Sequence, residues 1–442
     1  MSLTLCVWLL VFVGLLIAAV QRPVYAVSLY MLTFFLSPRF WWWGNAIQGY
    51  RWNFYSGLIL LVLSFLVVAP KLKGRAQTLI HVSLAMIVNA TIINFAIAGN
   101  SDVSFESYEL LVKFFVLAYL IFRTVRTTYD LQIVMLSILL GAAYIGFECT
   151  FNDRGDIVGN RLEGVGAPGA TTANHFASLM VTLLPLLAPF FLAGRLWCKV
   201  LVVCLAPLIV NVVLLCNSRS AFLGAIVSAV VFVMMSPRKI RSKAIKVVAL
   251  GGFGVFLLLG DARIIERFVS TFAAEEDRDA SAQSRLDFAK AGLGMVADYP
   301  LGAGGNGFKK VHGLKYLRAG GVSEVARAVH NGYINEACEW GIQGLGLRLF
   351  WFFTGTALAW RYVREHGDRD DAYLFPVLTQ IALLSGLAAF LVTYMFGDQN
   401  SSEWGNWILA LMLAIATLQV AEESELDPEE TFEMEGDDAI TS

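Results

Sequence analysis

The sequence predicts an all-α, polytopic membrane protein: a bundle of roughly twelve or thirteen crossings with one large helical loop on one side. Three observations carry that expectation. Of 442 residues, 57% are hydrophobic and 15% charged, whereas a soluble domain holds about 25% charge. Mean hydropathy is +0.63. Apolar runs of roughly 15 to 20 residues recur along most of the chain, continuous rather than alternating, and a run of about 20 is what a helix needs to cross hydrocarbon. A net charge of −2 says little about partners when so much surface faces lipid, and no nucleic-acid partner is expected.

In order, the crossings read as residues 3–20, 23–37, 53–70, 78–97, 106–123, 130–149, 174–193, 197–216, 220–235, 243–260, 341–362, 373–394 and 405–420. The first lacks the basic start and small-residue cleavage site of a signal peptide, so it reads as a retained crossing. The second is short and opens with Pro23, so a re-entrant segment is the alternative. The chain divides into an N-terminal bundle (1–260), an outer loop domain with helices (261–339), C-terminal transmembrane helices (340–421) and an acidic tail (422–442). The tail has many Asp and Glu and no Lys or Arg, and reads as a disordered, solvated cytoplasmic extension.

Orientation follows from the short loops. Lys71, Lys73 and Arg75, then Arg123 and Arg126, then Arg195 and Lys199 fall on one side. So do Arg238, Lys239, Arg241, Lys243 and Lys246, and finally Arg361, Arg364 and Arg369. The positive-inside rule makes that side cytoplasmic. The basic-poor loops near 98–107, 150–173 and 395–404, and the long loop from 261 to 340, then face out, which in a bacterium is the periplasm. The outer cluster Phe40-Trp41-Trp42-Trp43, with Tyr50 and Trp52, reads as an interfacial belt, with glycan stacking as the alternative.

Several chemistries find no support. The six cysteines share no CxxC or Cys/His metal spacing and read as small buried hydrophobes. The stretch Gly302 to Gly307 lacks the Lys-Ser/Thr of a phosphate-binding loop, which argues against an ATP-driven pump.

The outer loop holds most candidate chemistry. It begins acidic, with Glu275, Glu276, Asp277 and Asp279. A helix over 281–298 follows, with Leu286, Ala289, Leu293 and Val296 as its apolar face. Pro300 stops it, the glycine run makes a tight turn that Phe308 anchors, and Lys309, Lys310, Lys315 and Arg318 make the next segment basic. Then come His330-Asn331, nine residues, Gly341, two residues and Gly344. If the chain is helical from 331, residues 330, 337, 341 and 344 lie within about 40° of one another. Ala337, Gly341 and Gly344 then form a small-residue stripe beneath the imidazole, letting a neighbouring helix approach. A helix N-terminus disfavours the imidazolium, and a neutral imidazole is what a general base needs. The plainer reading is a surface histidine with glycines for packing.

Arginines are the second class. Arg219, in Asn217-Ser218-Arg219-Ser220, closes a hairpin between two crossings on the outer side, where a charge near hydrocarbon is costly unless paired or watered. Arg285 lies on the loop helix, its plainer fate an exposed ion pair. Arg161 lies near the glycines 164–169, with Asn174 and His175 as further weak candidates. Arginine binds phosphate bidentately and stays charged. No nucleotide sugar or ATP reaches an extracytoplasmic site, so an activated donor must arrive on a lipid. A polyprenyl diphosphate glycan fits: arginines stabilise its leaving group, the histidine takes a proton from the attacking hydroxyl, and no metal or other cofactor is required.

The His-Asn, nine residues, Gly-x-x-Gly pattern resembles the signature of the O-antigen ligase and O-antigen polymerase superfamily. Asn217-Ser218-Arg219, Ser284-Arg285 and Pro300-Leu301-Gly302-Ala303-Gly304 through Phe308 resemble its other motifs in the same order. The resemblance covers roughly residues 150 to 420. It implies a C-type membrane glycosyltransferase of the bacterial inner membrane with its active site facing the periplasm. Its partners would be membrane lipid, an undecaprenyl diphosphate-linked glycan donor and an acceptor hydroxyl, and transfer would invert the anomeric centre. By the same resemblance His330 is the activating base and Arg219 and Arg285 hold the diphosphate, with Arg161 added to that set and Asn331, Ser218, Gly341 and Gly344 in support. One histidine motif and no extra soluble domain favour a ligase acting on lipid A-core. A protein O-oligosaccharyltransferase or an O-antigen polymerase are the alternatives, and a lipid-linked glycan transporter is the reading from another class.

Overall fold

Apolar runs become helices because only a helix satisfies its own backbone in hydrocarbon. The computed structural model describes residues 2–167, 169–258, 280–321, 327–369 and 371–418. The acidic tail and the acidic start of the outer loop lie outside the described residues. The helices are α1 Leu3–Gln21, α2 Val24–Phe35, α3 Trp52–Ser64, α4 Arg75–Ile92 (continued by a π-turn, Ile93–Ile97), α5 Ser101–Thr124, α6 Thr128–Phe151, α7 Ala173–Leu183, α8 Leu187–Leu192, α9 Leu196–Cys216, α10 Arg219–Met235, α11 Arg238–Leu258, α12 Ala280–Asp298, α13 Gly313–Ala319, α14 Gly332–His366, α15 Leu374–Met395 and α16 Trp404–Ile415. Among the described residues, sheet is confined to a hairpin of β1 Asp156–Val158 and β2 Arg161–Glu163. Among the described residues, six helical segments are long and apolar enough to cross a membrane: α1, α4 with its π-turn, α6, α7 with α8, α9 and α15. Four more, α2, α3, α10 and α16, are shorter apolar helices. The chain is a polytopic all-α membrane protein.

Local chemistry fixes the helix ends. Thr127 and Asp130 form a capping box at the start of α6. Arg22 donates to Asp130 Oδ1 (2.8 Å) and Thr127 Oγ1 (3.0 Å), tying the α1–α2 corner to that cap. Asn217 reverses the chain between α9 and α10 in a left-handed conformation (φ 45°). In the bundle, α10 packs along α15, α14 along α4, and α6 along both α2 and α9.

The aromatic cluster differs from a simple interfacial belt. Trp41 and Trp43 are buried, and their indoles donate to Phe35 O (3.1 Å) and Tyr144 OH (3.0 Å). Trp8 packs against Trp43 and Trp52. Trp42, between Trp41 and Trp43, and Tyr50 are open, 54% and 60% exposed. Indole N–H groups seek partners when buried, and here the bundle supplies them. Cysteine also departs in part from expectation: all six are free thiols, but Cys204 is exposed.

The segment after His330 corrects the sequence reading more sharply. A continuous helix with a stripe of Ala337, Gly341 and Gly344 under the imidazole does not form. His330 precedes α14 in a left-handed conformation (φ 58°), and α14 breaks at Gly341 (φ 77°, ψ 172°). The glycine turn after Pro300 docks on that break. Ala303 N donates to Cys338 O (2.9 Å), Gly304 N to Glu339 O (3.0 Å) and Ile342 N to Pro300 O (2.9 Å). The freed Trp340 carbonyl accepts from Asn89 Nδ2 of α4 (2.9 Å) and Gln343 Nε2 (3.3 Å). Helix breaks leave orphaned polar groups that must find partners, and these supply them. Gly341 is required by its dihedral angles. Gly302 is required by approach, since a Cβ there would lie 2.6 Å from Gly341 N. Gly344 faces Trp340 and Asn89, so its smallness serves contact with α4.

A small second core covers the break. Phe288, Ala291 and Met295 of α12 pack with Ala303, Phe308, Leu317, Val329 and Cys338. Phe308 anchors the turn as expected. The predicted apolar face of α12 is not the buried one, because Leu286 and Leu293 are 47% and 57% exposed. Residues 288, 291 and 295 share the helical period equally well, and the spacing of aliphatics alone favoured the wrong stripe.

Gly341→Ala forces a side chain into left-handed backbone and into the Leu301 main chain and the Gln343 amide. It should destabilise the protein by about 1–3 kcal/mol. Gly346→Ala, where a Cβ meets nothing within 4 Å, should be neutral or gain roughly 0.5–1 kcal/mol. Thermal unfolding in detergent compares the two. Equal midpoints would show that the break is not a constraint.

Candidate active site

His330 is placed by the cap that follows it. Asn331 Oδ1 accepts from Tyr333 N (3.0 Å) and Ile334 N (3.2 Å), starting α14. Asn331 is thus a helix cap that leaves its neighbour's imidazole outside the helix, facing α12. That ring lies 5.8 Å from the Phe288 ring, and Arg285 stands one turn before Phe288 on the same helix. Burial, then the charges of Arg285 and Arg327, push the imidazole down from 6.5 to about 4. His330 is therefore neutral at physiological pH. The expected neutrality is present, with a different cause from the one the sequence suggested: burial and two guanidinium groups, one of them, Arg327, not among the sequence candidates.

A second group assembles at the start of α7. Arg161 Nη2 on β2 donates to Asn174 Oδ1 (3.2 Å), and Ser218 Oγ donates to the same oxygen (3.0 Å). Asn217 Nδ2 donates to Asn160 O (3.3 Å), holding the β-hairpin against the α9–α10 corner. Glu163 Oε2 accepts from Ala173 N (2.9 Å) at the α7 N-terminus. Arg219 follows Ser218 as the first residue of α10. The first turn of α7 joins the two groups: Asn174 binds Arg161 and Ser218, while the neighbouring His175 interacts electrostatically with His330. The structure therefore brings Arg285 to His330 and Arg161 to Ser218, with α7 between them. Gly341 and Gly344 serve the helix break and the α4 contact, so their support is indirect.

Beneath His330 lies an acidic layer that sequence reasoning did not single out. Glu336 and Glu339 are buried, and Asp398 is half-buried. Arg348 Nε donates to Glu336 Oε1 (3.1 Å) twelve residues along α14, and Tyr394 OH to Glu336 Oε2 (3.3 Å). Asn335 Nδ2 (3.4 Å) and Asn400 N (3.2 Å) donate to Asp398 Oδ1. Asn306 N donates to Glu339 Oε1 (3.0 Å), so the glycine turn also reaches this layer. Burial, then the charges of Asp398 and Glu336, raise the Glu339 carboxyl to about 8. Burial also raises Asp398 above the usual carboxylate range. A usable signal existed in the sequence: Arg348, inside an apolar run, had to find a buried anion. Among the described residues, no three His, Cys, Asp or Glu side chains gather as metal ligands.

Chemically, the arrangement offers a neutral base edged by arginines, with carboxylates underneath. Residues 200–349 match the model of a protein family described as O-antigen ligase. The matched stretch contains Ser218, Arg219, Arg285, His330, Asn331, Gly341 and Gly344, whereas Arg161 lies outside it. The match supports the O-antigen ligase/polymerase superfamily, a glycosyltransferase-like group of enzymes. No curated protein matches the chain.

Because the folded state disfavours the His330 imidazolium, the unfolded chain binds more protons between about pH 4 and 6.5. This group's contribution to stability is therefore present above that window and is lost as pH falls through it. Arg285→Gln and Arg327→Gln should each raise the pH at which His330 becomes neutral. Carbethoxylation of His330, followed by peptide mass spectrometry across pH, reads this directly. A midpoint near 6.5 in the unaltered protein would contradict the assignment.

Proposed function

We propose that this protein is an O-antigen ligase. It transfers a glycan from undecaprenyl diphosphate to a hydroxyl of lipid A-core, at the periplasmic face of the bacterial inner membrane. The observation that carries this reading is the neutral His330, packed against Phe288 of α12 and under the charges of Arg285 and Arg327, on a chain that matches the O-antigen ligase family over residues 200–349. The outer loop domain, 261–339, supplies the base and two of the arginines.

Arg219 and Arg285 take the diphosphate, with Arg161 alongside. Guanidinium groups match phosphate oxygens and stabilise the negative charge that grows as the C1–O bond breaks. The acceptor oxygen attacks C1 from the face opposite the leaving group and inverts the centre. His330 takes the hydroxyl proton as the new C–O bond forms. Diphosphate on the arginines offsets the charges that depress His330, so the base gains strength when the donor is bound. The reaction needs no metal. A single base and an anion site serve any hydroxyl, so the choice of lipid A-core over a protein hydroxyl or a growing glycan rests on the moderate length of the outer loop and its one histidine motif.

Purified protein given polyprenyl diphosphate glycan and lipid A-core should form a new glycosidic bond. His330→Ala and Arg285→Ala should slow transfer about 100-fold or more. Transfer to protein or to a second lipid-linked glycan in place of lipid A-core would replace the ligase reading with one of its relatives. Lipid movement across the bilayer with no bond formed would replace it with a transporter.

A further inference from the structure

Asparagine near a helix start ordinarily caps it, but Asn174 does not. Thr172 caps α7, its hydroxyl accepting from His175 N (3.5 Å). Asn174 stands inside the first turn, where asparagine is a weak helix former, and its amide turns to other segments. Arg161 Nη2 donates to Asn174 Oδ1 at 3.2 Å, and Ser218 Oγ donates to the same oxygen at 3.0 Å. A guanidinium can only donate, so the atom it meets is the oxygen and the amide's orientation is fixed.

Three segments thus meet at one carbonyl oxygen: the β-hairpin, α7 and the α9–α10 corner. Ser218 is buried, its hydroxyl is 3.1 Å from Ser220 Oγ, and the next residue, Arg219, opens α10. Asn174 and Arg161 are half-buried, and Thr171 and Thr172 beside them are exposed, so a ligand can reach this edge.

The scaffold here does not depend on Asn174. Glu163 Oε2 accepts from Ala173 N (2.9 Å), and Asn217 Nδ2 donates to Asn160 O (3.3 Å). Those two bonds already tie the hairpin to α7 and to the corner. What Asn174 adds is the direction of a guanidinium, and it supplies this with a neutral oxygen. A carboxylate in its place would bind the guanidinium in competition with any arriving anion.

We propose that Asn174 is a positioning residue of the donor site: its side-chain oxygen joins Arg161 and the Ser218–Arg219 corner into one cradle for the lipid-linked diphosphate. This rests on the glycan-transfer reading above for its ligand. A diphosphate offers two phosphoryl groups, and arginines from two segments suit them. Arg161 lies outside the stretch that matches the family, residues 200–349, so Asn174 is the link that brings this chain's additional arginine to the matched serine.

The test measures equilibrium binding of labelled polyprenyl diphosphate glycan, with KM and kcat for transfer, in the unaltered protein, Asn174→Asp and Asn174→Ala. Aspartate keeps an oxygen in place, so both hydrogen bonds persist, but it adds negative charge. An asparagine that served structure alone would tolerate that change. In the cradle, Asn174→Asp should weaken donor binding about 10-fold or more, with an unaltered unfolding midpoint. Asn174→Ala, which loses both bonds, should weaken it about 10-fold. In both, the loss should fall on KM more than on kcat. If Asn174→Ala fails to fold, Asn174→Asp decides. Donor binding as tight in Asn174→Asp as in the unaltered protein, or a loss confined to kcat, overturns the cradle. Displacement of the donor by excess phosphatidylglycerol would assign the edge to a headgroup phosphate and likewise overturn it. An unaltered protein that binds the lipid diphosphate through Asn174 but forms no glycosidic bond overturns the transferase reading and leaves the cradle standing.

Discussion

The break at Gly341 is the constraint on which the rest of the site depends. A helix interrupted beside hydrocarbon exposes carbonyl and amide groups that lipid cannot satisfy. Here the Trp340 carbonyl is met by Asn89, and the Pro300–Asn306 turn pairs with residues 338–342. Those bonds fix the outer loop to the bundle. They set α12 over α14, so that Phe288 covers His330 and Arg285 lies beside it. The same turn donates to Glu339 and thereby ties the acidic layer to the loop. One backbone irregularity thus positions the base, one arginine and a buried carboxylate together.

The charges are arranged in layers. Arginines surround the neutral imidazole, and carboxylates lie beneath it. Burying charge near hydrocarbon is costly unless each group is paired or neutral. Glu336 is paired with Arg348 and Tyr394. Glu339 is instead held toward its neutral form by burial and by Asp398. The acidic layer therefore need not carry its full formal charge, and the arginine edge keeps a net positive field toward an arriving anion.

Much of this was legible in the sequence. The all-α membrane class followed from hydropathy, because backbone satisfaction in lipid leaves few alternatives. Pro300, the glycine turn and the Phe308 anchor followed from local stereochemistry. Arg161 and Asn174 were named together and Ser218 apart from them, in the Arg219 motif, yet all three are hydrogen-bonded together. What escaped was set by tertiary contact. Periodicity assumed that His330 and Gly341 shared one helix, while the actual φ values at both break it. The aliphatic stripe on α12 was chosen over the face bearing Phe288 and Met295, because nothing local says which side a loop helix presents. Glu336, Glu339 and Asp398 looked like ordinary polar residues at a helix start and in a loop until Arg348 and Tyr394 folded against them.

The depressed basicity of His330 has a consequence for the proposed reaction. A general base works best when its conjugate acid matches the operating pH, and an imidazole at about 4 is weak for that task. Burial weakens it first, and Arg285, one of the two arginines that weaken it further, is among the groups that would bind the donor's diphosphate. With the donor absent, the imidazole has little pull on any hydroxyl, including water. With the donor bound, phosphate charge screens the guanidinium groups and the imidazole recovers affinity for a proton. Base strength is then conditional on substrate, which restrains hydrolysis of the activated glycan without requiring a lid. The same logic explains why arginine suits this edge better than lysine: it stays charged at every pH the protein meets, so the suppression persists until an anion relieves it.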